Sequence, residues 1–123
     1  MNTVLVIDDD ADMREIERAA LVCAGYHVVL ATNGIEGLQI LERQRPCVIL
    51  LDLMMPMMDG LTFLAERQRL GLAEDVPVVC FTAGGREMQT HALRLGAREC
   101  LHKPTDFDDL CERISYYCNA PPR

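Results

Sequence analysis

With 123 residues, half of them apolar, the chain is long enough to bury one real core and too short for a second folded unit. A net charge of -7 and a pI near 4.8 would repel nucleic acid and anionic membrane surfaces, which argues against either as a direct partner. The opening MNTVLVIDDD offers four apolar residues before three acids, neither a signal peptide's apolar region nor a membrane span, so a cytoplasmic protein is expected.

Thr3 to Ile7 reads as a short strand running into Asp8, Asp9 and Asp10. Met13, Ile16, Ala20 and Cys23 then recur at helical spacing up to Gly25, with either Asp10 or the Asp12 and Glu15 pair as the N-terminal cap. His27 to Ala31 is a second strand, and Asn33 opens a helix with Ile35, Leu38 and Leu41 inward, before Pro46 breaks the chain. Residues 47 to 60, CVILLDLMMPMMDG, form an unbroken apolar run that carries one acid, Asp52, and stops at Pro56 and Gly60. Such a run is a central strand buried on both faces. Leu61, Leu64 and Ala65 mark a third helix ending near Gly71, and Val76 to Phe81 a fourth strand with Thr82 at its end. Met88, Ala92 and Leu95 line a fourth helix closed by Gly96. Cys100 to His102 is a fifth strand that delivers Lys103. After Pro104, Thr105 and Asp108 match a capping box, and Phe107, Leu110, Ile114 and Tyr117 line the last helix. One domain is expected over 1–118, with 119–123 (NAPPR) an unstructured tail or the start of a linker.

Five strands alternating with five helices through short connections call for an α/β fold, a doubly wound five-stranded parallel sheet with helices on both faces. The six cysteines include no CxxC pair and several fall at apolar-periodic positions, so they read as small buried hydrophobes in a reducing compartment. His27, His91 and His102 have no ligand spacing to one another.

Polar residues gather at strand ends: Asp8 and Asp9 after the first, Asp52 after the third, Thr82 after the fourth and Lys103 after the fifth. In a parallel sheet these ends share one edge, where open α/β folds place their ligands. Asp52 is the candidate reactive group there; it could instead cap the next helix, but Asp59 before Gly60 already suits that role. Bare carboxylates about 4 Å apart would repel by roughly 4 kcal/mol per pair at an effective dielectric of 20, which calls for a cation. Magnesium is the natural one, a hard ion that takes one or two carboxylates and accepts a phosphoryl oxygen. With a hydroxyl and an ammonium added, the set suits phosphoryl transfer onto Asp52 as an aspartyl phosphate, Lys103 pairing with the phosphoryl oxygens and Thr82 donating to one. Each residue alone has a plainer role, as surface lysine, capping threonine or helix N-terminal acid.

VLVIDDD, VILLDLMMPMMDG, VPVVCFTA and GARECLHKP together resemble the receiver domains of two-component response regulators, over nearly the whole chain. The resemblance implies a flavodoxin-like (βα)5 fold with strand order 2-1-3-4-5. It implies that Asp52 accepts phosphate from a histidine kinase or histidine phosphotransfer protein and that Asp8, Asp9, Asp52 and the Met54 backbone carbonyl bind magnesium. A changed surface is then offered to a downstream protein or output domain, and the peptide bond between Lys103 and Pro104 is cis. It further implies a signalling domain that catalyses its own phosphorylation and dephosphorylation rather than an enzyme acting on other substrates. Receivers usually carry a tyrosine or phenylalanine three residues before the lysine, as a switch partner to the threonine; here Thr82 is present and the partner position is Cys100. His102 shares the face of Cys100 and is the nearest ring on that strand, with solvent exposure the plainer expectation.

Two other readings compete. A small magnesium-dependent phosphatase of the haloacid dehalogenase type would need its DxDx(T/V) motif to start at Asp8, yet the fifth position is Asp12, and no cap domain fits the length. A pseudo-receiver that only binds partners would ordinarily lack part of the constellation. A soft copper(I) site at Met54, Met55, Met57 and Met58 is the weakest reading, since methionine fills gaps beside a loop equally well. Whether the chain is a single-domain regulator or part of a longer protein stays open.

Overall fold

A computed structural model describes residues 2–103 and 106–119. Its elements run β1 (Thr3–Ile7), α1 (Ala11–Cys23), β2 (His27–Ala31), α2 (Gly34–Leu41), β3 (Val48–Leu51), α3 (Gly60–Leu70), β4 (Val78–Thr82), α4 (Arg86–Arg94), β5 (Glu99–His102) and α5 (Phe107–Asn119). All strand pairs are parallel and the order is β2-β1-β3-β4-β5, as expected for the flavodoxin-like fold. The sheet buries both faces, and alternate residues sort its core in two. Leu5, Ile7, Ile49, Leu51, Val78 and Cys80 pack with Leu38, Leu41, Phe63, Leu64 and Ala92 of α2, α3 and α4. Val4, Val6, Val48, Leu50, Val79 and Phe81 pack with Leu21, Leu110 and Ile114 of α1 and α5. The period-2 alternation of strand side chains thus explains why β3 is apolar at every position.

Local chemistry fixes the helix ends. Asp10 caps α1 by accepting the N–H groups of Asp12 and Met13, which decides between the two caps the sequence left open. Asn33 and Asp59 cap α2 and α3 in the same way, and Gly71 ends α3 at a left-handed φ of 64°.

Several expected faces are corrected. In α1 the buried residues are Glu17 and Leu21, while Ile16 and Cys23 are exposed, because the true inward stripe is phased through a charged residue. Ile35 and Ala65 also face outward; close packing of α2 falls to Gly37, Leu38 and Leu41, and that of α3 to Phe63, Leu64 and Arg67. Buried Arg67 donates to the carbonyls of Ala73 and Val76 at 2.8 and 3.1 Å and so holds the connection into β4, which starts at Val78 rather than Val76. The helix α5 runs through Asn119, whose side-chain amide donates to Ser115 Oγ, one residue beyond the expected domain end. The Thr105 half of the expected capping box, the cis bond expected before Pro104, and 120–123 lie outside the described residues.

The cysteine reading is corrected most. Cys47, at the entry to β3, and Cys118, in the last turn of α5, form a disulfide across 71 residues with Cα atoms 5.0 Å apart. Such a long separation leaves no motif in the sequence; only the docking of α5 beside β3 brings the two together. Of the other four, Cys80 is fully buried, Cys100 and Cys111 are half-buried and Cys23 is exposed.

Candidate functional site

The parallel ladders carry the functional residues to one edge. Asp8 N–H donates to the Ala31 carbonyl, Asp52 N–H to Ile7, and Lys103 N–H to Thr82, at 3.1, 2.9 and 2.9 Å. Each side chain therefore leaves a backbone fixed by its neighbour strand. Asp8, Asp9 and Asp52 each offer an oxygen, and the three lie within 4.8 Å of one another. Lys103 Nζ reaches Asp8 Oδ2 at 3.3 Å and Asp52 Oδ2 at 3.5 Å, and rests 5.2 Å from the Phe81 ring centroid. Asp8 is 1 % exposed and Asp52 8 %, while Asp9 is open to solvent. Asp8 is further anchored by the Asp10 N–H on its Oδ1 and by Arg14 donating to its carbonyl.

The loop after Asp52 is equally constrained. Met54 N–H donates to Asp52 Oδ1 at 3.1 Å, which orients the carboxylate. A Cβ at Gly60 would stand 2.6 Å from Leu53 Cα and 2.7 Å from the Asp52 carbonyl oxygen, so only glycine lets α3 begin against this loop. Met55 turns into the core while Met54 and Met57 face solvent, and Met57 has a φ of 63°. The methionines thus point apart rather than around one ion.

Burial pushes the Asp52 carboxyl above its ordinary range, against the opposing pull of the Met54 N–H and Lys103. Burial also works against the Lys103 charge, but Asp52 and Asp8 outweigh it and raise the ammonium's pKa. The sequence reading missed a fourth acid. Glu17 of α1 is 1 % exposed, lies beside Asp8, and is pushed up to about 9, first by burial and then by the charge of Asp8. Its Oε1 has no hydrogen-bond partner. A glutamate four residues after Met13 and four before Leu21 was the available signal, but a stripe traced through apolar residues alone passes over it. With Glu17 neutral, three carboxylates face one ammonium, a donor set of hard oxygens with uncompensated charge, which fits a hard divalent cation such as magnesium.

Among the described residues, the side-chain hydrogen bonds of Thr82 and Cys100 go to groups outside this cluster. Thr82 is fully buried and its hydroxyl accepts the Gly84 N–H at 3.0 Å. Cys100 faces α4, with its Sγ 3.7 Å from the Gln89 carbonyl oxygen, and His102 is exposed.

The family model described as response regulator receiver domain matches residues 4–115. An uncharacterised 14.6 kDa protein of Leptolyngbya boryana is 38% identical over 97% of this chain and 92% of its own length. Response regulator MprA of Mycobacterium leprae is also 38% identical, over 90% of this chain and 48% of its own length, so the chain spans about half of that relative. Among solved structures, the receiver domain of the sensor histidine kinase PA1611 from Pseudomonas aeruginosa, with magnesium coordinated in its active site cleft, superposes with a TM-score of 0.88 at 26% identity over 97% of this chain and 98% of that one. A CheY-like receiver domain protein from Methanospirillum hungatei gives 0.89 at 26% identity, covering 97% of this chain and 94% of that one.

Proposed function

The chain belongs to the response regulator receiver family of two-component signalling, and on that premise we propose that Asp52 takes the phosphoryl group, from a phosphohistidine on a histidine kinase or phosphotransfer protein. The observation that carries the assignment is the convergence of the Asp8, Asp9 and Asp52 oxygens within 4.8 Å, with Lys103 at 3.3 and 3.5 Å from two of them. An Asp52 carboxylate oxygen attacks phosphorus, the bond from phosphorus to the imidazole nitrogen breaks, and an acyl phosphate remains. Lys103 shifts from the carboxylates to the phosphoryl oxygens, and Thr82 exchanges its contact with Gly84 for a hydrogen bond donated to the phosphoryl group. Asp8, Asp9, Asp52 and the Met54 carbonyl would hold magnesium, which would supply positive charge to neutralise the phosphoryl oxygens. Because the nucleophile and the side chains that receive the phosphoryl group all belong to this chain, the domain catalyses its own phosphorylation and, with water as the nucleophile, its dephosphorylation. The resulting shift of the Thr82 loop changes the surface offered to a downstream protein or output domain, and the phosphohistidine donor places the reaction in the cytoplasm. In this reading the domain takes in 1–118 together with Asn119, the last residue of α5.

Incubation with a small phosphodonor and magnesium, followed by intact mass, tests the class. Single, saturable phosphorylation is expected. Rapid turnover of many phosphoesters without a stable adduct would support the phosphatase reading, and no incorporation the pseudo-receiver.

A further inference from the structure

Cys80 and Cys100 stand directly opposite each other on the parallel neighbours β4 and β5. Both turn to the side covered by α4: Cys80 lies in the core beneath that helix, and Cys100 packs against the same core with its Sγ toward Gln89. Adjacent strands run about 4.7 to 4.9 Å apart, inside the roughly 4.4 to 6.8 Å between Cα atoms that a disulfide spans. The two thiols differ in exposure, with Cys80 sealed and Cys100 half-open to solvent.

We propose that Cys100 and Cys80 are an oxidative modification site, in which a peroxide attacks through Cys100 and Cys80 resolves the product to a disulfide joining β4 to β5. The Cys100 sulfur, as thiolate, takes one peroxide oxygen; the O–O bond breaks, leaving a sulfenic acid and, once protonated, water. The Cys80 sulfur then attacks the Cys100 sulfur, the S–O bond breaks, the S–S bond forms and a second water leaves. The two thiols together give up two protons and two electrons to the peroxide. The closeness of the two thiols favours this division of labour, since their interaction lowers the Cys100 pKa and, with burial, raises that of Cys80. The bridge would fix β5 to β4 two residues before Thr82 and beneath α4. The chemistry does not depend on Asp52 acting as phosphoacceptor.

The test is peptide mapping without reductant after limited hydrogen peroxide, with remaining thiols alkylated in denaturant. The expected result is a Cys80–Cys100 cross-linked peptide, the loss of two alkylatable thiols, and Cys23 and Cys111 still free. In Cys80→Ala, a 1,3-diketone probe should trap sulfenic acid on Cys100. Since the mapping uses the unaltered protein, a misfolded variant leaves it decisive. Oxidation of Cys100 to sulfinic acid with Cys80 still free, or oxidation of Cys23 ahead of Cys100, would overturn the proposal.

Discussion

At the scale of single residues, Glu17 is where the site departs furthest from its pattern in the sequence. Asp8, Asp9, Asp52 and Lys103 were legible because each follows a strand, and the end of a strand is a position that pattern alone locates. Glu17 sits mid-helix, where an acid reads as solvated, and only packing shows it wedged against Asp8. Its consequence is a pH dependence of definite sign. The unfolded chain releases this proton near the ordinary value of 4.5, whereas the folded protein holds it to about 9. Between these values the folded state binds more protons, so metal-free stability falls as pH rises, by about 1.4 kcal/mol per unit at the steepest. Asp52, also raised, acts in the same sense. Glu17→Leu should therefore melt close to the parent near pH 5, well above it near pH 8, and with a flatter pH profile. Melting curves without metal at the two values check this; equal melting temperatures at pH 8 would remove the buried acid from the account.

A second residue-scale prediction concerns the clustered charge. Asp9→Ala removes one carboxylate from the trio, so magnesium binding followed by calorimetry should weaken about tenfold or more, while the metal-free protein melts no lower than the parent. A lower melting temperature would show that the three acids are not in net repulsion.

At the scale of elements, the order of strands and helices was legible because β-branched runs, capping acids and closing glycines punctuate the chain clearly. Which residues of a helix turn inward was less so. Ile16 and Ile35 were expected in the core on helical spacing, but α1 and α2 dock through Leu21, Gly37 and Leu38, and no period computed from apolarity alone shows that a glycine is the contact. The Cys47–Cys118 bridge was out of reach for a related reason, since it depends on where α5 lies across the sheet. It closes a long loop, and in the chain-entropy account this stabilises the fold by roughly 4 kcal/mol. Reduction should lower the melting temperature by the order of 10 °C, and Cys118→Ser should reproduce the drop without reductant. A melting curve indifferent to reductant would mean that docking of α5 through Leu110 and Ile114 suffices.

The switch elements carry a further expectation. Thr82 must give up the Gly84 N–H to reach a phosphoryl oxygen, so the start of α4 moves with it, whereas Cys100 brings no ring to fill the vacated space. With peroxide excluded, Thr82→Ala should cut the beryllofluoride-dependent gain in partner affinity about tenfold, and Cys100→Ala should leave it near the parent value. Binding isotherms with and without beryllofluoride decide; the reverse ranking would place the relay in Cys100.

At the scale of the whole molecule, one sheet does two jobs. Its two apolar faces bind five helices into two packed layers, and its C-terminal edge collects the acids and one lysine that this strand order brings together. The fold class follows from alternation of elements, but the site follows from strand order, because Asp8 and Asp52 meet only when β1 and β3 are neighbours. Among the described residues, no helix is long and apolar enough to cross a membrane. The central claim is that this edge transfers phosphate to Asp52, and the most direct measurement is the site and stoichiometry of phosphorylation. With a small phosphodonor and magnesium, peptide mapping should place a single acyl phosphate on Asp52, and Asp52→Asn should fold like the parent yet incorporate none. Phosphate retained at the parent level by that variant, with Asp9 the first residue to examine, would contradict the account.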